Sequence, residues 1–334
     1  MKSPIRAVIA VLTAVMLTVA CAGCGQSDGT TRVRVCEVTH SIFYAPQYVA
    51  IEKGFFRDEG LDIELSNGQG ADAVMAAVLS DNIDIGFAGP EAAIYVYNEG
   101  QEDYPQVFGQ VTRRDGSFLL AREADADFSW SKLKGKTVLP GRKGGVPYMT
   151  FEHVLRENGL DPATDLVMDN SVQYAMMTAA FTGGTGDYVT AFEPTASLMQ
   201  EQKQGFIVAS VGEASGDIPY TAYFAKGSYL TDHADVITRF TRALYRGQQW
   251  VASHTAAEIA EAVAASFPDT TADLLTKAVD SYRRIGAWNE TPVMTAESFD
   301  RLQLVMTEAG ELSEKADFDR VVNNSFAEAV VAGN

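Results

Sequence analysis

Apolar residues between positions 70 and 100 predict a helix, a buried strand and a second helix in succession. Five apolar residues at the start of this stretch recur at the spacing of a helix that lies on a sheet: Ala71, Val74, Met75, Val78 and Leu79. The run 83–88 is short enough for a strand, and Gly89 and Pro90 then allow a bend and a first helical turn. The free N–H groups of the second helix lie beyond the carboxyl end of the strand. Small ligands bind at such junctions in α/β proteins, although many of these turns bind nothing.

The same alternation extends along most of the chain and predicts two α/β units. Strands are expected at 31–38 and 61–65 with helices between them, which is typical of a mostly parallel sheet. An acidic, weakly hydrophobic stretch at 123–131 predicts a crossover to a second unit, which repeats the pattern over the following part of the chain. The segment 219–226 is expected to return to the first unit as a strand, and the pattern after Asp232 is helical.

The amino terminus has the features of an export signal. Two basic residues precede an apolar run, 7–20, that is too short to cross a bilayer comfortably and is typical of a secretory segment. The small residues before Cys24 resemble a bacterial lipobox, in which the cysteine is lipidated, and Cys21 is the alternative. We therefore expect a lipoprotein signal peptide at 1–23 and a lipid-anchored tether at 24–31.

Charge and cysteine content narrow the function further. The formal net charge of −18 repels phosphate backbones, so nucleic acid is not an expected partner. If Cys24 carries the lipid, Cys36 is the one cysteine left in the mature chain for other roles. We therefore expect no disulfide and interpret Cys36 as a small core residue of the first strand.

Catalytic motifs do not occur in the contexts that they require. The 4 histidines are scattered, without another histidine, cysteine or carboxylate at the spacing of a metal site. Gly68 and Gly70 open a helix after a strand, but no acidic residue follows at the position that would hold a dinucleotide ribose. We therefore expect a protein that is not an enzyme and that uses neither a cofactor nor a metal.

The pattern instead predicts a binding cleft lined by strand-to-helix junctions, which face the gap between the units of a two-domain α/β protein. The candidate ligand-binding residues are Ser41, Phe43, Tyr44, Gly89, Pro90, Glu91, Arg142, Gly144, Gly145, Tyr148, Phe192 and Glu193. Two other interpretations stay open. The helix dipole favours Glu91 and Glu193 in a first turn whatever the function, and the aromatic residues could equally belong to the core.

Three segments of the chain resemble the SsuA/TauA/THI5-like (NMT1) solute-binding proteins. They are APQYVAIEKGFFRDEGLDIEL, GADAVMAAVLSDNIDIGFAGPEAAI and SWSKLKGKTV, and they occur in the same order. The resemblance implies an α/β fold of the two-lobed periplasmic-binding-protein type (type II), with a mostly helical C-terminal part packed on the first lobe. Lobe 1 would comprise 32–122 and 221–334, and lobe 2 would comprise 123–220.

The resemblance also implies a function in import. Proteins of this family close on one small molecule and deliver it to an ABC permease with its ATPase. We therefore expect an exported monomer that is lipid-anchored on the outer face of the bacterial cytoplasmic membrane. The alternatives are a ligand-binding partner of a sensor and a THI5-like pyrimidine biosynthesis enzyme, although those enzymes carry a cysteine-rich motif that this chain lacks.

The ligand stays open between two chemical classes. Tyr44, Tyr148, Glu91 and Glu193 suit a flat heterocycle with amino groups, such as a pyrimidine or a riboflavin-like compound, held by stacking and hydrogen bonds. The turn 142–145, with two cationic side chains and glycine N–H groups, could instead hold an aliphatic sulfonate such as taurine. We favour the heterocycle because the net charge of −18 disfavours a bare anion.

Overall fold

The computed structural model describes residues 30–333, so the predictions for Cys21, Cys24 and the signal peptide lie outside the described residues. The strands of the first sheet are β1 (Thr31–Glu37), β2 (Leu61–Asn67), β3 (Ile85–Ala88), β4 (Pro105–Thr112) and β10 (Thr221–Lys226). Their order is β2-β1-β3-β10-β4. β1 runs parallel to β2 and β3, whereas β10 runs antiparallel to β3 and β4. The predicted return of the chain to the first sheet is therefore made by β10.

The second sheet repeats this design. Its strands are β5 (Ser117–Ala121), β6 (Thr137–Leu139), β7 (Val167–Met168), β8 (Tyr188–Phe192) and β9 (Phe206–Ser210). Their order is β7-β6-β8-β5-β9, with β6 parallel to β7 and β8, and β5 antiparallel to β8 and β9. Each sheet therefore contains one antiparallel strand that adjoins a crossover between the lobes.

The first crossover comes earlier along the chain than the sequence predicted. The expected first lobe, 32–122, includes residues 117–121, but β5 pairs along its whole length with β8 in the second sheet. All five of its residues are buried, as expected for a strand that is covered on both faces. The chain therefore crosses from the first sheet to the second at 113–116, and not after 122.

The two crossovers lie side by side and are bonded to each other. The Ile218 N–H donates to the Arg113 carbonyl oxygen over 2.8 Å. Arg113 and Arg114 both form ion pairs with Asp217 on the returning crossover. These contacts connect the two segments about which the lobes would move.

Helices cover both sheets. The first lobe contains α1 (Ala45–Glu52), α2 (Phe55–Asp58), α3 (Ala71–Leu79) and α4 (Glu91–Asn98), and the second contains α5 (Val146–Glu157), α6 (Met177–Thr182), α7 (Thr195–Glu201) and α8 (Val211–Ser215). The C-terminal helices are α9 (Gly227–Asp232), α10 (Ala234–Ser253), α11 (Ala256–Val263), α12 (Ala272–Arg284), α13 (Ala296–Glu308), α14 (Phe318–Val321) and α15 (Ser325–Ala332). The bounds of α3 and α4 agree with the helices that the apolar spacing predicts.

The C-terminal part packs on the first lobe and also reaches the second. α10 lies along α1, while α12 contacts α7 and α13 contacts α5. The Glu308 carboxylate on α13 accepts a hydrogen bond of 2.8 Å from Nδ1 of His153 on α5. The larger hydrophobic core includes Cys36, which is buried on β1 as predicted. Among residues 30–333, no helix has both the length and the apolar character needed to span a membrane.

Candidate functional site at the lobe junction

The turn between β3 and α4 presents a buried carboxyl group. Pro90 is the N-cap of α4, and Glu91 is its first residue. The Glu91 side chain is only 4% exposed, and it folds back so closely over Gly89 that a Cβ at that position would overlap the carboxyl group. Oε2 of Glu91 has no hydrogen-bond partner. This glycine is therefore required for the close approach of the carboxyl group to the turn.

A turn of the second lobe packs against α4, the helix that begins at this carboxyl group. Residues 142–145 lead into α5, and Gly144 has a φ of +80°, in the left-handed region that favours glycine. Tyr95, one helical turn beyond Glu91 on α4, donates from its hydroxyl group to the Gly144 carbonyl oxygen over 3.4 Å. Arg142 forms a 3.0 Å ion pair with Asp72 on α3. The structure thus joins Gly89, Glu91, Arg142 and Gly144, which the sequence placed in separate junctions.

Burial dominates the electrostatics of Glu91. Loss of solvent raises the pKa of the carboxyl group from 4.5 to about 7. The N–H groups of Glu91 itself and of Val146, together with the positive charge of Arg142, lower this pKa, and the negative charge of Asp72 raises it. A carboxyl group that titrates near neutral pH therefore lies between the two lobes.

Aromatic rings form a second contact between the lobes. Phe43 is fully buried, and its ring centroid lies 5.6 Å from that of Phe192 in the second lobe and 5.6 Å from that of Tyr220. Tyr44 meets Phe87 of β3 edge to face, with 4.7 Å between ring centroids. This second ring pair connects the aromatic contact to the strand that leads into Gly89. The two groups of candidate residues therefore belong to one junction.

The short loop before α1 is held by its own hydrogen bonds. Ser41 caps a 3₁₀ turn at 42–44, and its hydroxyl oxygen accepts from the Phe43 N–H over 3.2 Å. The Phe43 carbonyl oxygen accepts from the Trp288 indole N–H over 2.8 Å. Ser41 therefore positions the aromatic residues that follow it.

Glu193 serves its own helix. It is 2% exposed, and its two carboxylate oxygens accept from the Ser197 N–H over 2.9 Å and from the Ser197 hydroxyl over 2.8 Å. Its backbone N–H donates to the Tyr282 hydroxyl over 3.0 Å. The carboxylate thus binds groups of the first turn of α7, which is the role that the helix dipole predicts.

Tyr148 and Arg142 lie toward the edge of the junction. Burial raises the pKa of Tyr148, and the nearby charges that affect it are those of Glu152, Arg156 and Glu311. The Arg142 side chain is 59% exposed in its ion pair with Asp72. Arg142 begins the turn 142–145, and Tyr148 lies in the first turn of α5, which follows it.

Sequence reasoning missed a buried polar network behind the loop 41–44. The Glu37 carboxylate accepts from the Gln47 amide over 2.7 Å and from the Tyr48 hydroxyl over 2.6 Å, and it pairs with His40 over 2.9 Å. The bond to Glu37 raises the pKa of His40. The Tyr223 hydroxyl extends the network by donating to the Gln47 amide oxygen over 2.5 Å. A carboxylate at the last residue of β1 was the available signal for this network.

The described residues contain no group of three or more His, Cys, Asp or Glu side chains arranged to hold a metal ion. The junction offers one buried carboxyl group, backbone groups of its turns and aromatic rings.

Two sheets, two adjacent crossovers and a junction built from strand-to-helix turns define a protein of the periplasmic-binding-protein fold, which confirms the predicted fold class. The chain belongs to the NMT1/THI5-like family, whose model matches residues 42–258. It is 42% identical over 328 residues to "Putative binding protein YtlA" of Bacillus subtilis (strain 168), with 98% of each chain covered. The resemblance seen in the sequence is thereby confirmed.

Solved structures share this fold at low sequence identity. The alkanesulfonate-binding protein SsuA from Xanthomonas axonopodis pv. citri, bound to MOPS, aligns with a TM-score of 0.70 at 16% identity, covering 88% of this chain and 98% of that chain. The periplasmic nitrate-binding protein NrtA from Synechocystis PCC 6803 aligns with a TM-score of 0.67 at 16% identity, covering 91% of this chain and 89% of that chain. These similarities show the fold. The ligand of this chain has to be inferred from the chain's own residues.

Proposed function

We propose that the chain is an exported lipoprotein that captures a small solute between its lobes and delivers it to an ABC permease. The junction at which both lobes meet carries this proposal, because turns from each lobe surround the same buried carboxyl group and aromatic rings. Membership of the NMT1/THI5-like family and the similarity to a named binding protein support it. The lipid would be attached to Cys24, with Cys21 as the alternative.

The crossovers supply the movement that capture requires. Segments 113–116 and 216–220 are the covalent connections between the sheets, and rotation about them would separate the turn 142–145 from Glu91. A solute would then enter the open junction and be enclosed as the lobes return. Capture of this kind needs no chemical step, which agrees with the expectation that the protein is not an enzyme.

The favoured ligand is an uncharged or weakly cationic aromatic heterocycle. Tyr44 and Phe192 supply aromatic rings to the junction and Glu91 supplies a carboxyl group, and such a combination suits a flat compound that donates hydrogen bonds. The alternative is an aliphatic sulfonate, the ligand class named for the structurally similar SsuA. Arg142 is a weaker candidate for holding a sulfonate because it is mostly exposed and already paired with Asp72.

A thermal-shift panel tests the capture and the ligand class together. Residues 25–334, which include all described residues, would be melted with pyrimidine precursors of thiamine, riboflavin and nucleobases, and separately with taurine and alkanesulfonates. Stabilisation by a heterocycle alone is the expected result. Stabilisation by sulfonates alone would keep the capture function and overturn the ligand class, and conversion of a compound by the protein alone would favour the enzyme.

The lipid anchor has an independent test. Cells that express the full chain would be labelled with radioactive palmitate, and Cys24→Ser is expected to abolish labelling while Cys21→Ser retains it. The opposite pattern would assign the lipid to Cys21. Labelling that survives both substitutions together would exclude both cysteines as the lipidation site, and an unsubstituted chain without label would refute the anchor.

A further inference from the structure

The C-terminal helix α12 is attached to the first lobe. It packs against α11, which itself contacts α1, and against the 3₁₀ turn 42–44. Tyr282 on this helix is fully buried, and its ring centroid lies 5.0 Å from that of Phe43 and 6.0 Å from that of Trp288. The Trp288 indole N–H donates to the Phe43 carbonyl oxygen, so the three rings form one contact around the loop 41–44.

The same helix also contacts the second lobe, at both ends of α7. The Tyr282 hydroxyl oxygen accepts a hydrogen bond of 3.0 Å from the backbone N–H of Glu193, just before α7. Nearer the N-terminus of α12, Lys277 forms an ion pair with Glu201, the last residue of α7. The Tyr282 ring lies 6.2 Å, centroid to centroid, from that of Phe118 on β5. One tyrosine of α12 therefore contacts the loop 41–44 of the first lobe and two segments of the second.

We propose that α12 stabilises the closed arrangement, in which the lobes make these contacts, and that Tyr282 is its positioning residue. Rotation about the crossovers would move Glu193 with the second sheet while α12 stays on the first lobe. Its hydrogen bond to Tyr282 would then break and would form again when the lobes close. The inference rests on the proposed function in taking the junction as the ligand site. A solute enclosed only by closed lobes has an apparent affinity proportional to the closed fraction.

The Tyr282 hydroxyl acts on a backbone group, so its effect does not depend on the Glu193 carboxylate, which binds Ser197. The Glu193 N–H is buried in the closed arrangement and has its acceptor in Tyr282. A buried N–H without an acceptor is destabilising, whereas water can bond the same group when the lobes are apart. Loss of the hydroxyl is therefore expected to lower the ratio of closed to open protein by about fivefold.

Cross-linking across the junction measures the closed fraction without a ligand. Asp72 and Arg142 are exposed, belong to different lobes and are joined by a 3.0 Å ion pair. In residues 25–334, Asp72→Cys and Arg142→Cys together would place two thiols within reach of a short bismaleimide when the lobes are closed. The rate of cross-linking, followed by mass spectrometry, is then proportional to the closed fraction. Cys36 is buried and is kept in every variant, and each single cysteine substitution controls for other reactions.

Tyr282→Phe in this double-cysteine protein keeps the ring and removes the hydroxyl oxygen. The cross-linking rate should fall by between about twofold and fivefold, the larger value applying when the closed arrangement is the minor one. Tyr223→Phe is the matched control: Tyr223 is also fully buried, but its hydroxyl donates to Gln47 within the first lobe, and the rate should stay unchanged. Equal rates with and without Tyr282→Phe, or equal decreases in both tyrosine variants, would overturn the inference.

An exchange of charges replaces this test if Tyr282→Phe does not fold, as judged by circular dichroism. Lys277→Glu would place two carboxylates at the end of α7 and should slow cross-linking at low ionic strength, because like charges oppose closure. Adding Glu201→Lys restores opposite charges and should restore the rate. A rate that Lys277→Glu leaves unchanged, or that Glu201→Lys fails to restore, would overturn the inference. Failure of the whole ligand panel would instead refute the proposed capture function, which cross-linking without a ligand does not test.

Discussion

Substituting Glu91 by glutamine should change how the stability of the protein depends on pH. The substitution keeps the size of the side chain but removes the titrating group. In the unsubstituted protein, burial raises the pKa of the Glu91 carboxyl group from 4.5 to about 7. Because the folded protein holds this proton more tightly than the unfolded chain, the resulting stability is fully present below pH 4.5 and is lost as the pH rises through 7.

The magnitude follows from the two pKa values. Between pH 5 and pH 8, a group with these values reduces the free energy of unfolding by about 2.5 kcal/mol. Asp115 at the first crossover has a similar pH dependence, because burial raises its pKa from 3.8 to about 7. Comparison with Glu91→Gln isolates the contribution of Glu91, since Asp115 titrates in both proteins.

Urea unfolding, followed by tryptophan fluorescence at half-unit steps from pH 5 to pH 8, measures the effect. The stability of Glu91→Gln relative to the unsubstituted protein should rise by about 2 to 3 kcal/mol across this range. The charges of Arg142 and Asp72 act on the group, Tyr95 is affected by its charge, and all three residues remain unchanged in the comparison. A difference that stays constant with pH to within about 0.5 kcal/mol would refute the account of a buried titrating carboxyl group.

Three further substitutions test other parts of the junction. Glu37→Gln should lower the free energy of unfolding by about 1.5 to 3 kcal/mol in urea titrations, because Tyr48 loses a charged acceptor; no loss would mean that the network contributes nothing. Phe43→Ala should cost about 3 to 5 kcal/mol through a cavity between the lobes, and a melting temperature within a degree or so of the unsubstituted protein would contradict its burial. Glu193→Gln should change the ligand affinity measured by calorimetry by less than about threefold, because Ser197 already donates hydrogen bonds to both carboxylate oxygens of Glu193. A tenfold loss of affinity, or about 1.4 kcal/mol, would assign Glu193 to the ligand site.

Local spacing was sufficient to predict the elements around the junction. The helix 71–79, the turn at Gly89 and Pro90, and the helix that begins at Glu91 agree with the structure. These features depend on residues within a few positions of one another, where apolar period, glycine and proline act directly on the backbone. The lobe to which β5 belongs was not predictable in this way, because its pairing depends on β8, which follows much later in the chain.

The sequence by itself determined that this is an α/β binding-protein chain with polar and aromatic residues at its strand-to-helix turns. Only the tertiary structure decided which of two equivalent glutamates faces the other lobe. Glu193 finds partners four residues away in Ser197, whereas Glu91 lies under a turn whose Arg142 pairs with a residue 70 positions distant. The spacing of apolar residues carries no information about contacts between residues so far apart in the chain. The desolvation that raises the pKa of Glu91 arises only when the chain is folded and the lobes meet.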